Sequence, residues 1–290
     1  MSGVVGRGWV DTHHHVWDLA VRDQEWIDPV TMSAIRHDFD LEELRPRAAA
    51  AGVDRTVVVQ TVPVGEETPE LLALAADSEL VAAVVGWTDL TAPDTADRLA
   101  ALRDHRGGRY LAGIRHQVQD EPDPRWLARR DVRHGLRAVG EAGLVYELLV
   151  VPDQLDAALD VVRTLPEVTF VLDHAGKPAI ASGELGGWAS RIWALAEQPN
   201  VYCKLSGLVT EAGWRSWTTG KIRPYADTVL DAFGPDRVMF GSDWPVCLLA
   251  CDYSDVVELA VRLTGRLDGG ERARMFARTA ERVYQLGVTG

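Results

Sequence analysis

Along the chain, short apolar runs alternate with longer stretches in which apolar residues recur at helical spacing. The strand-like runs cover residues 9–13, 56–60, 81–86, 111–115, 145–149, 169–173, 201–205 and 237–241. They are rich in Val, Leu, Ile and aromatic residues, and most are too short to be helices. The amphipathic stretches carry start and stop signals. Thr68 followed by Pro69 predicts a capped helix start ahead of Leu71, Leu72 and Leu74. Asp153 opens a helix over 154–164 with Leu155, Leu159 and Val162 as its core stripe. Gly52 and Gly143 end helices that begin at Leu41 and Asp131. Further helices are expected over 94–105, 185–197, 221–233, 255–263 and 271–284.

Strand–helix units in series imply a parallel sheet, because each crossover helix returns the chain to the same end. Eight such units are the number that closes a barrel. An open doubly wound sheet is the alternative, but the first strand–helix turn lacks the G-x-G-x-x-G pattern of dinucleotide binders. The expected fold is therefore α/β, a single (β/α)8 TIM barrel spanning residues 1–290 as one domain. Three connections exceed the usual length, over 16–40, 117–130 and 206–221, and they carry Trp17, Trp26, Trp126, Trp214 and Trp217. All three follow strands, which places them on the face where barrel active sites lie.

Composition narrows the function classes. The 290 residues hold 30 Lys and Arg against 43 Asp and Glu, a net charge of −13. No Lys/Arg run offers phosphates a basic face, so nucleic acid is not an expected partner. Cys203, Cys247 and Cys251 are scattered, which disfavours a disulfide framework or a thiolate zinc site and fits a cytoplasmic location. Met1 to Gly8 show no export leader, and no apolar run approaches the roughly 20 residues of a membrane helix. The helix patterns isolate no exposed apolar patch, and a homo-oligomer stays open.

The candidate chemistry begins at Asp11-Thr12-His13-His14-His15. In an extended strand alternate side chains share a face, so Asp11, His13 and His15 are expected together, with His14 pointing away. Two imidazoles at this spacing can chelate a divalent metal or donate to a substrate oxygen. The competing reading is a chance polar cluster. Asp243 lies just past the last strand, where a carboxylate can take a proton from water or bind metal; alternatively it caps a turn. His174 ends the sixth strand and either polarises a carbonyl or bonds a loop carbonyl.

Several runs carry a resemblance: Asp-Thr-His-x-His with Val16-Trp17-Asp18, then Gly113-Ile114-Arg115-His116, Asp173-His174-x-Gly-Lys-Pro, Lys204-Leu205-Ser206-Gly207 and Phe240-Gly241-Ser242-Asp243-Trp244-Pro245. Together, in this order, the chain resembles the amidohydrolase-related lactonases, a group that includes fuconolactonase-like sugar lactonases and 2-pyrone-4,6-dicarboxylate lactonases. The resemblance implies a barrel of the metal-dependent-hydrolase type and a small-molecule lactone as substrate. It implies His13 and His15 as the first-strand pair, His174 as the sixth-strand histidine and Asp243 as the acid that activates water. His13, His15 and Asp243 would hold one divalent metal, zinc by preference, although members that work without metal belong to the same group. The fifth strand, Val145-Tyr146-Glu147-Leu148-Leu149, lacks the histidine that metal-dependent decarboxylases place there.

Arg115 is the expected holder of a carboxylate or ring oxygen, facing inward if His116 faces out. Tyr146 and Glu147 pose the same choice, and the strand alone leaves it open. Lys204 either contacts substrate or extends its amine along the rim. Trp17, Trp126, Trp214 and Trp244 either wall a sugar face or pack. A dicarboxylate needs several arginines, and only Arg115 is placed, with Arg22, Arg36 and Arg215 as loop candidates. The sequence therefore favours a neutral aldonolactone. The alternatives are a dicarboxylate lactonase, a decarboxylase and, last, a non-catalytic binding barrel.

Overall fold

The computed structural model describes residues 8–287. Of the segment read for a leader, only Gly8 falls inside that span, and so do all but the ends of the 1–290 domain.

All eight apolar runs are strands: β1 Trp9–His14, β2 Val53–Val59, β3 Val81–Gly86, β4 Leu111–His116, β5 Val145–Leu148, β6 Phe170–Leu172, β7 Val201–Leu205 and β8 Val238–Phe240. Each pairs in parallel with the next, in chain order. The ring closes just past the ends of β1 and β8. There Asp243 donates its N–H to the carbonyl of His13 (2.8 Å), and His15 donates to the carbonyl of Trp244 (2.7 Å). The fold is the expected (β/α)8 barrel.

The outer layer comprises α1 Leu41–Ala50, α2 Glu67–Ala76, α3 Thr95–Asp104, α4 Arg130–Glu141, α5 Leu155–Thr164, α6 Gly186–Ala196, the short α7 Leu208–Glu211, α8 Thr219–Phe233, α9 Tyr253–Leu263, α10 Gly269–Ala273 and α11 Thr279–Val283. The α2 start differs from expectation. Thr68 caps nothing; its hydroxyl accepts from Trp87 N (2.7 Å) and donates to Trp87 O (3.0 Å), tying α2 to the end of β3. Gly86 makes this approach possible, since a Cβ there would lie 2.3 Å from the Thr68 methyl.

Two apolar regions result. One lies between strands and helices and includes Leu44, Leu72, Leu136, Val161, Ile192 and Phe276. The other fills the lower barrel with Val10, Val57, Val59, Val85, Val171 and Met239, closed from below by Tyr284 near the chain end. Aliphatic side chains from neighbouring strands interdigitate there as in other barrel cores. Among the described residues no helix is long and apolar enough to cross a membrane.

Candidate active site

The strand ends deliver a set of polar groups above the aliphatic layer. β1 does so with an irregular register: Asp11 pairs with Thr56 while His14 pairs with Val58, three steps on one strand against two on the other. This bulge corrects the simple alternation. Asp11 does not join the histidines; it turns behind the strand, accepting from Ser242 N (2.8 Å) and the Tyr253 hydroxyl (3.1 Å), and so fixes the loop that carries Asp243. Past the bulge the alternation holds. His13 and His15 face inward with their Nε2 atoms 3.2 Å apart, while His14 turns out to the Thr56 hydroxyl (2.9 Å).

His174 and Asp243 reach the same point through unusual backbone. His174, Ala175, Gly176 and Lys177 all have positive φ (50°, 53°, 69° and 49°), one left-handed turn that closes with Lys177 N donating to His174 O. Asp243 has φ 60°. Non-glycine residues in this region carry strain of order 1–3 kcal/mol each, which survives where tertiary structure dictates the geometry. Part of that structure is Gly207, where a Cβ would sit 2.6 Å from the His174 ring. The ring is steered by the Ser206 hydroxyl on its Nδ1 (2.9 Å).

The four side chains converge. Asp243 Oδ1 lies 3.8, 3.7 and 3.9 Å from the Nε2 atoms of His13, His15 and His174. Burial works against the Asp243 charge, but His174, His15 and Lys177 outweigh it and hold the carboxyl below its usual range. Burial pushes His174 down to about 4 and lowers His13 well below its usual range. The Nδ1 of His15 donates to Val59 O (2.7 Å), which turns its Nε2 toward the centre. Such a set of imidazoles and a carboxylate fits one divalent cation, with His13, His174 and Asp243 close enough to share it. Arg115, with Nη1 3.1 Å from His13 Nε2, adds a positive charge that opposes tight binding.

Beneath this centre lies a buried ionic layer. Arg115 faces inward and pairs with Asp173 (3.1 Å), while His116 faces out, accepting from Trp87 Nε1 at its Nδ1 and bonding Glu121. Glu147 also faces inward; Tyr146 faces the helices and packs on Phe170. Lys204 is not a rim lysine. It is 0% exposed, with Nζ 2.6 Å from Glu147, 3.1 Å from Asp173 and 3.1 Å from His13 Nδ1. A lone ammonium would not stay buried; two carboxylates from neighbouring strands hold it there. Burial and the Asp173 charge raise Glu147 to about 7. Asp173 itself overcomes burial through Lys204, His13 and Arg115 and stays well below its usual range.

Above the centre opens a cavity of about 970 Å3 whose wall includes His15, His174, Arg115 and Asp243. The long connections form its sides. Trp17 and Trp244 do not reach it: Trp17 donates to His37 O and packs on Trp26 and Phe39, and Trp244 is fully enclosed against Phe39. Trp126 stacks behind His116. Trp214 and Trp26 are the tryptophans on the wall, joined by Gln117, Gln119, Lys177 and Glu211. Sequence reasoning passed over these last four. Lys177 lies in a quoted motif without a role, and the others are single polar residues in the long connections with no periodic signal.

An amidohydrolase family model matches residues 10–286. L-fucono-1,5-lactonases from Burkholderia multivorans and Burkholderia ambifaria are each 40% identical, the first over 96% of both chains and the second over 96% of this chain and 95% of the relative. An amidohydrolase from Burkholderia multivorans, solved with bound zinc and separately with bound HEPES, superposes with a TM-score of 0.91 at 39% identity, over 96% of this chain and 99% of the other. The chain belongs to the amidohydrolase family.

Proposed function

We propose that this protein is a lactonase that opens a neutral sugar lactone, an aldonolactone of the L-fucono-1,5-lactone kind, by attack of water that Asp243 deprotonates. The reaction class follows the 40%-identical relatives. One observation carries the choice of a neutral sugar over a dicarboxylate. Every cation that the described cavity wall offers is already paired with a carboxylate: Arg22 with Glu70 (2.9 and 3.0 Å), Arg115 with Asp173, and Lys177 with Glu211 (3.4 Å). The same wall adds Asp23, Glu25, Asp120 and Glu121, which repel an anion. Arg215, one of the loop candidates, is exposed and lies off the wall.

The Asp243 carboxylate takes a proton as the water oxygen bonds to the ring carbonyl carbon. The oxyanion that forms faces the Arg115 guanidinium; one such donor is typically worth about 10²–10³ in rate. Collapse breaks the bond from that carbon to the ring oxygen, and Asp243 returns the proton to this oxygen, leaving a hydroxy acid. His13, His174 and Asp243, with His15 beside them, would hold the cation, and zinc suits these donors; it would supply carbonyl polarisation and a more acidic water. The decarboxylase alternative finds no support at β5, whose inward residue Glu147 is engaged by Lys204 and Tyr284.

A pH-indicator assay over a panel of aldonolactones and a pyrone dicarboxylate tests the reading. At least one aldonolactone should be hydrolysed with kcat/KM ten times or more that for the dicarboxylate. Preference for the dicarboxylate, or no turnover across the panel, would overturn it.

A further inference from the structure

The geometry points to Lys177 and Glu211, braced by Gln119, as the clamp that reads substrate hydroxyl groups and so determines specificity; this rests on the sugar-lactonase reading above. The three residues come from three different connections, those after β6, β7 and β4. Lys177 Nζ donates to Gln119 Oε1 (2.9 Å) and lies 3.4 Å from Glu211 Oε1. All three line the cavity.

The pair is built to be half satisfied. The Lys177 and Glu211 side chains keep 24% and 23% of their surface accessible. An ammonium has three N–H groups and a carboxylate two oxygens, so one donor and one acceptor oxygen remain for a ligand. Vicinal hydroxyls need that combination, since each both donates and accepts. Charged partners make such bonds about twice as strong as neutral ones. A deep burial would have consumed these valences within the protein, and full exposure would have left them to water.

Two further features tie the pair to the chemistry. Lys177 is the last residue of the left-handed turn that begins at His174, so the turn that aims the imidazole also aims the ammonium. Glu211 shares its connection with Trp214, whose ring is held by Nε1 donating to Thr210 O (3.0 Å). An aromatic face beside a charged donor–acceptor pair suits a sugar, with its C–H face and its hydroxyl edge.

The test compares wild type with Lys177→Met and Glu211→Gln on two substrates, a polyhydroxylated aldonolactone and an unsubstituted δ-lactone. The clamp predicts that each variant loses roughly ten- to a hundredfold in kcat/KM on the hydroxylated lactone, mostly in KM. Because Lys177 also supports the Asp243 charge, the deciding readout is the ratio of kcat/KM between the two lactones, which should fall about tenfold or more in each variant while the melting temperature holds. Equal loss on both lactones would mark the pair as a structural tie, and no loss on either would remove it from recognition; both overturn the inference. If one variant fails to fold, the other carries the comparison. Wild type that hydrolyses neither lactone brings down the sugar-lactonase reading itself, a different failure from an active wild type whose variants do not discriminate.

Discussion

Two layers of the barrel interior, two residues apart on the same strands, have opposite chemistry. In the lower layer β4 supplies Gly113, β5 Val145, β6 Val171 and β7 the edge of Tyr202. One pleat higher the same strands supply Arg115, Glu147, Asp173 and Lys204. The side-chain period of two aims both sets inward. The lower layer gains its stability from apolar burial, without directional demands. The upper layer depends on mutual pairing, because each charge would be costly to bury alone. The fold thus places stability below and chemistry above, and variants in the two layers should fail in different ways.

The largest effect is expected at the top. Asp243→Asn should lower kcat by about 10³, within the range that general-base removal typically costs, while the unfolding transition in urea stays close to wild type. A variant that keeps more than a tenth of the wild-type kcat would remove Asp243 from the role of base. Next comes the ionic layer. Lys204→Met leaves Glu147 without a cation and Asp173 with Arg115 alone, and should cost about 3–5 kcal/mol of stability. Adding Glu147→Gln should recover much of that loss, since a neutral amide no longer needs the ammonium. If the single variant is as stable as wild type, the layer is not the interdependent unit described. In the lower layer Met239→Ala should cost about 2–5 kcal/mol through the cavity it opens and leave kcat nearly unchanged. A matching loss of kcat would erase the division between the layers.

How much of this was legible in the sequence differs between the same two layers. The aliphatic layer announced itself, because apolar runs of five or six residues between helical stretches mark buried parallel strands. The ionic layer did not. Both faces of β5 are enclosed, so hydrophobicity could not decide whether Tyr146 or Glu147 faces the barrel. Lys204 read as a substrate contact or a rim residue because its partners, Glu147 and Asp173, sit on other strands and meet it only when the ring closes. Asp11 read as sharing the face of His13 and His15 because a bulge, which shifts the parity of a strand, leaves no local mark in Asp-Thr-His-His-His. The histidines and Asp243 were legible because strand ends of a closed barrel share one mouth wherever they fall in the chain.

The smallest effect sharpens the comparison without removing any packing. Glu147 is raised to about 7 in the folded protein by burial and by the Asp173 charge, against an ordinary value of 4.5 in the unfolded chain. Between those values the folded state holds a proton that the unfolded state has released, so the contribution of Glu147 falls as pH rises through that window and levels off above it. Asp173, held well below its usual range, acts with the opposite sign: the stability it contributes is lost only as pH drops below that range. Buried His13 and His174, lowered in the folded protein, also act oppositely to Glu147: the unfolded chain binds protons that they do not, so their contribution rises with pH up to the ordinary histidine range. The Glu147 part is therefore read as the difference in urea unfolding between wild type and Glu147→Gln from pH 4.5 to 8. Relative to the variant, wild type should lose stability with rising pH until about pH 7. Met239→Ala, with the ionic layer intact, should keep the wild-type pH profile at lower overall stability. Parallel profiles of wild type and Glu147→Gln would mean that Glu147 takes up no proton in that window, and the upper layer would then lack the titration that its geometry implies.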